Sequence, residues 1–194
     1  MINVFLAGEG ATELGGWAAE RVYRAANPSI GVLEALLRKV TAAGWQVVDA
    51  TCWKNIRKYR ARPPMNAEVR NVMGVALQAQ EAGAGVVAFT RDRDRDERRE
   101  ADVIRGIEEA SNNLSPCPSI IGGVAIEAIE AWTLALSGER HSHRYPRPKE
   151  YLAAGKITDQ VTAIESADIH SPELDSPSLR AWLDQARDTL ASPT

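Results

Sequence analysis

The run Gly85-Val86-Val87-Ala88-Phe89-Thr90 is apolar without alternation, and five residues of alternating charge, Asp92-Arg93-Asp94-Arg95-Asp96, follow within two positions. A strand with two apolar faces needs cover on both sides, the condition met in parallel α/β sheets. The charged run then falls at the strand's carboxyl end, where open α/β sheets place their ligands. A second strand candidate, Ile2-Asn3-Val4-Phe5-Leu6-Ala7, runs in the same way into Gly8-Glu9-Gly10-Ala11-Thr12-Glu13. Two strands thus deliver carboxylates to one rim.

The segments between them give the β-α-β order that leads to a parallel sheet. Helical character extends over Leu14 to Ala26. After the Asn27-Pro28-Ser29 break, Val32, Leu33, Leu36, Leu37 and Val40 recur at the spacing of one buried helix face. Gln46 to Thr51 reads as a short strand, Ala67 to Ala82 as a helix closed by Gly83, and Asp96 to about Ala110 as a helix capped by Asp96. A strand over Ser119 to Gly122 precedes a helix over Ala125 to Leu136, where Glu127 and Glu130 share a face. That face is either the water side of an amphipathic helix, the reading that spacing favours, or it points at a site. Helices over Lys156 to Ala167 and Leu179 to Leu190 complete the chain, joined by a linker rich in Pro and Ser from His170 to Ser178.

A length of 194 residues suits one domain with a substantial core, with 44% hydrophobic and 25% charged residues in the ordinary globular range. A formal net charge of −3 argues against coating nucleic acid by bulk charge, so any polyanion contact must be local. No apolar stretch approaches the roughly 20 residues of a membrane span, and no basic-then-apolar leader opens the chain. The expectation is a soluble cytoplasmic protein without a membrane partner. Cys52 and Cys117 have neither metal spacing nor a disulfide framework and read as free thiols.

Two readings of the acidic rim stand side by side. Clustered carboxylates repel unless a proton or cation intervenes, and hard oxygen ligands suit Mg²⁺ or Mn²⁺. Alternatively Arg91, Arg93, Arg95, Arg98 and Arg99 neutralise the run as a solvated charged loop. The stretch Cys52 to Asn66 is basic and aromatic: Lys54, Arg57, Lys58, Arg60 and Arg62 are interleaved with Trp53 and Tyr59. Such a stretch either tracks a phosphate backbone and stacks on bases, or lays its aromatic rings on the sheet with the cations in water. His141 and His143 lack partners at recognisable metal spacing, and their segment reads as a mobile loop.

Several familiar motifs are excluded. Gly8-Glu9-Gly10 is followed by no Gly-Lys-Ser/Thr, and Glu13 stands where a dinucleotide fingerprint has its third glycine. Asp92, Asp94 and Asp96 match the start of a calcium hand, but Glu97 replaces its glycine and Val103 its closing glutamate. No nucleophile elbow appears.

Three stretches, in order, resemble the TOPRIM domain: Gly8-Glu9-Gly10-Ala11-Thr12-Glu13, Arg91-Asp92-Arg93-Asp94, and Ile129-Glu130-Ala131-Trp132 with the later Pro148-Lys149-Glu150-Tyr151-Leu152. The chain looks most like small bacterial TOPRIM-domain proteins related to nucleases of the overcoming-lysogenization-defect type, a group tied to bacterial defence. The resemblance implies a Rossmann-like, mainly parallel sheet flanked by helices over residues 1–165, with a helical C-terminal extension over 166–194. It implies Glu9 as general acid/base or ligand, Glu13 as a second-site ligand, Asp92 and Asp94 as ligands of the principal Mg²⁺ or Mn²⁺, Glu130 completing the cluster, and Lys149 balancing its charge. The family tends to carry an acid after the apolar residues that follow Trp132, where this chain has Thr-Leu-Ala-Leu.

The activity so implied is metal-dependent cutting or nicking of nucleic acid, DNA first, with a separate ATPase as partner and a homodimer as a possible assembly. Two other functions fit the same residues: a non-catalytic module that binds nucleic acid or protein, and a metal-dependent phosphohydrolase on small phosphate esters.

Overall fold

A computed structural model of the protein describes residues 1–57, 65–152 and 156–191. Four parallel strands form one sheet in the order β2-β1-β3-β4: β1 Ile2–Gly8, β2 Trp45–Cys52, β3 Val86–Asp92 and β4 Ser119–Ala125. The helices are α1 Ala11–Leu14, α2 Val32–Val40, α3 Ala67–Glu81, α4 Arg99–Asn113, α5 Ile129–Leu136, α6 Ile157–Ser166 and α7 Pro177–Ala191. This is a doubly wound α/β arrangement.

The side-chain alternation of each strand sorts the core into two layers. Val4, Leu6, Val86, Ala88 and Ile121 face the layer built by α2, α5, α6 and α7. Phe5, Ala7, Val87, Phe89 and Ile120 face the layer of α3 and α4. Both faces of β1 and β3 are buried, which is why their sequences are continuous apolar runs. From β1 the chain moves to β2 on one side, then returns past β1 to β3 on the other. The direction reverses between β1 and β3, and the crevice beyond their carboxyl ends is the topological switch point.

The last helix belongs to the main core. Trp182 is buried against Trp132, with ring centroids 6.0 Å apart, and its indole N–H donates to the Phe89 carbonyl at 3.0 Å. Gln185 Oε1 accepts from the N–H of Gly122 on edge strand β4 at 2.9 Å, so one group of the open edge is satisfied by a side chain. Among the described residues, no helix is long and apolar enough to cross a membrane.

Three segments differ from their expected form. Leu14 to Ala26 is not one helix: α1 ends at Leu14, and 3₁₀ turns follow at Gly15–Ala18 and Arg21–Tyr23. Gly15 sits at φ 58°, and any Cβ there would collide with the Ser29 carbonyl and the Gly31 amide. The chain therefore reverses at a residue that only glycine can supply.

The expected strand Ser119–Gly122 runs on to Ala125, because Gly123, Val124 and Ala125 continue the pairing with Thr90, Arg91 and Asp92. Its helix starts only at Ile129, leaving Glu127 in the intervening turn at φ 65°. Glu127 and Glu130 thus do not share a helix face. The helix expected from Asp96 begins at Arg99, although Asp96 Oδ1 still accepts from the Arg98 amide at 3.1 Å and so satisfies an N–H at the entry.

Candidate functional site

Register places the site. Ala7 of β1 pairs with Phe89 of β3, so two residues further on Glu9 stands level with Arg91. Alternation along β3 then sends Arg91 to the α3 and α4 side, with Phe89, and Asp92 to the opposite side, with Ala88. Neighbours in sequence, these two residues head two separate polar groups.

On the α3 and α4 side, Arg91 donates to Glu9 and to Glu68, the latter at 3.2 Å from Nη2, while Arg99 lies 3.4 Å from Glu68. Arg99 also donates to Asp94 Oδ2 at 2.8 Å and to the Asp92 carbonyl. Glu9 Oε1 accepts in addition from the Asp92 amide at 3.3 Å. Burial, and then the neighbouring Arg99, hold the Arg91 guanidinium below its ordinary range. Beneath it lies Trp53, buried with its ring 5.5 Å from the guanidinium carbon and 5.6 Å from the Phe89 ring.

On the other side, Glu13, Asp92 and Glu130 form a buried acidic group. Glu13 accepts from the Gly10 amide at 3.0 Å, which satisfies one free N–H at the start of α1. Burial raises the Glu13 carboxyl despite this bond, with Glu130 adding to the rise. Asp92 Oδ1 accepts from the Ile129 amide at 2.9 Å, at the N-terminus of α5. Even so, burial, followed by the charges of Glu13 and Glu130, pushes Asp92 from its ordinary 3.8 up to about 7.

Glu130 is 2% exposed; its Oε1 lies 3.3 Å from Lys149 Nζ, and its Oε2 has no hydrogen-bond partner among the described residues. Burial lowers the Lys149 ammonium, but Glu130, Asp92 and Glu13 outweigh it and leave the group raised. One ammonium thus serves three carboxylates. Glu13 also depends on the size of residue 8: a Cβ on Gly8 would lie 2.6 Å from the Glu13 Cβ. Gly8→Ala is expected to displace Glu13 at a cost of about 1–3 kcal/mol, read as a lower urea midpoint; an unchanged midpoint would show that the turn yields freely.

Beside the acidic group opens a cleft of ≈ 410 Å³ lined by Asp92, Asp94, Arg95, Glu127, Ala128 and the stretch Pro146 to Glu150. Glu127 accepts from Arg93 Nη2 at 2.5 Å. Asp94, Arg95 and Glu127 all have positive φ, at 47°, 63° and 65°. Three of the four non-glycine residues with that backbone among the described residues are therefore on one cleft wall.

The five predicted ligands therefore fall into two groups. Glu13, Asp92 and Glu130 come together with Lys149, whereas Glu9 and Asp94 are held by Arg91 and Arg99. Among the described residues, no group of three or more His, Cys, Asp or Glu side chains is close enough together to hold a metal ion as the side chains stand. In donor chemistry the buried group does fit a hard divalent cation: its oxygens are carboxylates, its charge is under-neutralised, and Glu130 Oε2 has no partner among the described residues.

Of the predicted nucleic-acid contacts, Lys54 and Arg57 are exposed, and Arg57 pairs with Glu81 at 2.8 Å. Neither lines the cleft. Lys58, Arg60 and Arg62 lie outside the described residues. Trp53 is turned into the core and is not available for stacking on bases.

The expected water-side position of Glu130 is corrected, since all eight residues of α5 are buried. The expected mobile loop around His141 and His143 is also replaced by local structure. Ser142 is buried and donates to the Ala131 carbonyl at 2.7 Å, and His141 Nδ1 pairs with Asp175 at 2.7 Å. Cys52 and Cys117 are free thiols.

Sequence reasoning missed Glu68. It lies in the first turn of α3, two residues after the Asn66 cap, and holds two arginines of the charged run. The fold and the site together define a doubly wound α/β protein with an acidic crevice at its switch point. No family model, curated protein or solved structure matches the chain.

Proposed function

We propose that the chain cleaves or nicks nucleic-acid phosphodiesters with a divalent ion, Mg²⁺ or Mn²⁺, in the manner of TOPRIM nucleases. The observation that carries this reading is the buried group Glu13, Asp92 and Glu130 at the switch point, where one lysine faces three acids and burial pushes the Asp92 carboxyl up. Asp92, Glu130 and Glu13 would hold the ion, which when bound activates water and stabilises the charge on the leaving oxygen.

The remaining work falls to the protein's own groups. Glu9, kept at the rim by Arg91 and the Asp92 amide, is the carboxylate outside the buried group that accepts or returns a proton. Lys149, 69% exposed along its side chain yet anchored to Glu130, and Arg95, which lines the same cleft, orient the phosphate. A separate ATPase remains the proposed partner.

The test is purified chain with Mn²⁺ or Mg²⁺ on supercoiled plasmid and on single-stranded oligonucleotides. Cutting is expected in the wild type and its loss in Glu130→Gln, with the circular dichroism spectrum unchanged.

One observation favours the non-catalytic reading: Arg91 and Arg99 already neutralise Glu9 and Asp94 without any ion. Wild-type protein that binds nucleic acid but leaves it intact under both ions, with and without an ATPase partner, would establish that reading instead.

A further inference from the structure

We propose that the segment from Tyr145 to Tyr151 is a stacking platform for single-stranded nucleic acid at the mouth of the cleft. This deepens the function proposed above by naming the form of the substrate, and it rests on that reading only for where the strand is cut. The Tyr145 and Tyr151 rings lean on one another, with centroids 4.4 Å apart and planes tilted by 34°. Tyr151 is 56% exposed, one of few large apolar side chains in water. The residues between the rings, Pro146 to Glu150, form part of the cleft lining.

The segment is presented in a fixed form. Ser142 ties its start to α5, Pro148 is buried at the first position of a 3₁₀ turn over Pro148–Tyr151, and Lys149 reaches Glu130. Within it, Arg147 and Lys149 outnumber Glu150, so the segment itself is basic beside an acidic cleft. The Arg147 side chain is 70% exposed and pairs with the exposed Glu150 at 3.0 Å. Arg144 directly precedes the segment, and Arg95 lines the same cleft.

Aromatic rings beside a cationic track bind unpaired bases by stacking, with little regard to sequence. A duplex keeps its base faces inside the stack and offers this platform only phosphates. The pair of tyrosines therefore selects a single strand.

The experiment is fluorescence anisotropy of a labelled oligothymidylate, and of its duplex with oligoadenylate, titrated with the full chain in EDTA. The wild type is expected to bind the single strand more tightly than the duplex. Tyr151→Ala is expected to weaken single-strand binding about tenfold, and Tyr151→Phe to retain it. Arg147→Ala should reduce the slope of log affinity against log salt by about 0.7.

Equal binding of duplex and single strand, no binding of either, or wild-type affinity in Tyr151→Ala would each overturn the platform. Because the titration holds no divalent ion, the two proposals fail separately. Cutting in Mn²⁺ with Tyr151→Ala unimpaired removes the platform and leaves the nuclease. Tyr151-dependent binding without cutting removes the nuclease and leaves the platform.

Discussion

Asp92→Asn is expected to abolish metal-dependent cutting while making the protein more stable at pH 8. The Asp92 carboxyl is raised on folding from 3.8 to about 7, so the folded chain holds a proton there that the unfolded chain releases. For a raised carboxyl the stability is fully present below the unfolded value and is lost as pH rises through the folded one. The window is about pH 4 to 7, and the loss amounts at most to the order of 4 kcal/mol.

Asparagine can still accept from the Ile129 amide and carries no charge against Glu13 and Glu130. The variant should therefore show a flatter stability profile over that window, measured by urea unfolding at several pH values. Added Mg²⁺ at pH 8 should stabilise the wild type, by about 2.7 kcal/mol at a hundredfold excess over Kd, and leave the variant unmoved. An equal response of the two to Mg²⁺ would take Asp92 out of the ion's ligands.

Trp182→Ala is expected to have the largest effect on folding. The side chain is 1% exposed, packs on Trp132 and satisfies the Phe89 carbonyl in the middle of the sheet. Truncating a buried tryptophan costs about 3–5 kcal/mol, and a carbonyl deprived of its donor adds to that. Much of the stability of a domain of this size is then lost. Thermal unfolding followed by circular dichroism reads the effect. A small shift would mean that α7 docks loosely and that the sheet survives without it.

The sheet and its helices were legible because their signals are local. Val32, Leu33, Leu36 and Leu37 mark a face by spacing alone, and the run through Phe89 marks a strand covered on both sides. The C-terminal end of β4 was hidden, since Gly122 and Gly123 look like a break until Phe89 and Trp182 are seen packed against them.

At the site, the acids could be named but not paired. Whether Asp92 or Arg91 faces α5 depends on which residue of β3 is buried toward which layer, and that follows from tertiary register. Glu130 left a signal that helical spacing obscured: Ile129-Glu130-Ala131-Trp132-Thr133-Leu134-Ala135-Leu136 has a single charge, and a helix buried all round has no water side to give it. Glu68 left none, because its partners are 23 and 31 positions away, on another strand and another helix.

The left-handed residues on the cleft wall have a bearing on how this protein would respond to selection. Non-glycine residues in that conformation each store on the order of 1 kcal/mol or more, and Asp94, Arg95 and Glu127 are gathered where the chemistry is proposed. Substitutions that relax them would be among the easiest routes to a hardier protein, and each would exchange a charged side chain at the cleft for backbone ease. Variants enriched for heat resistance alone should therefore drift toward a blunted cleft, the familiar opposition between endurance and activity.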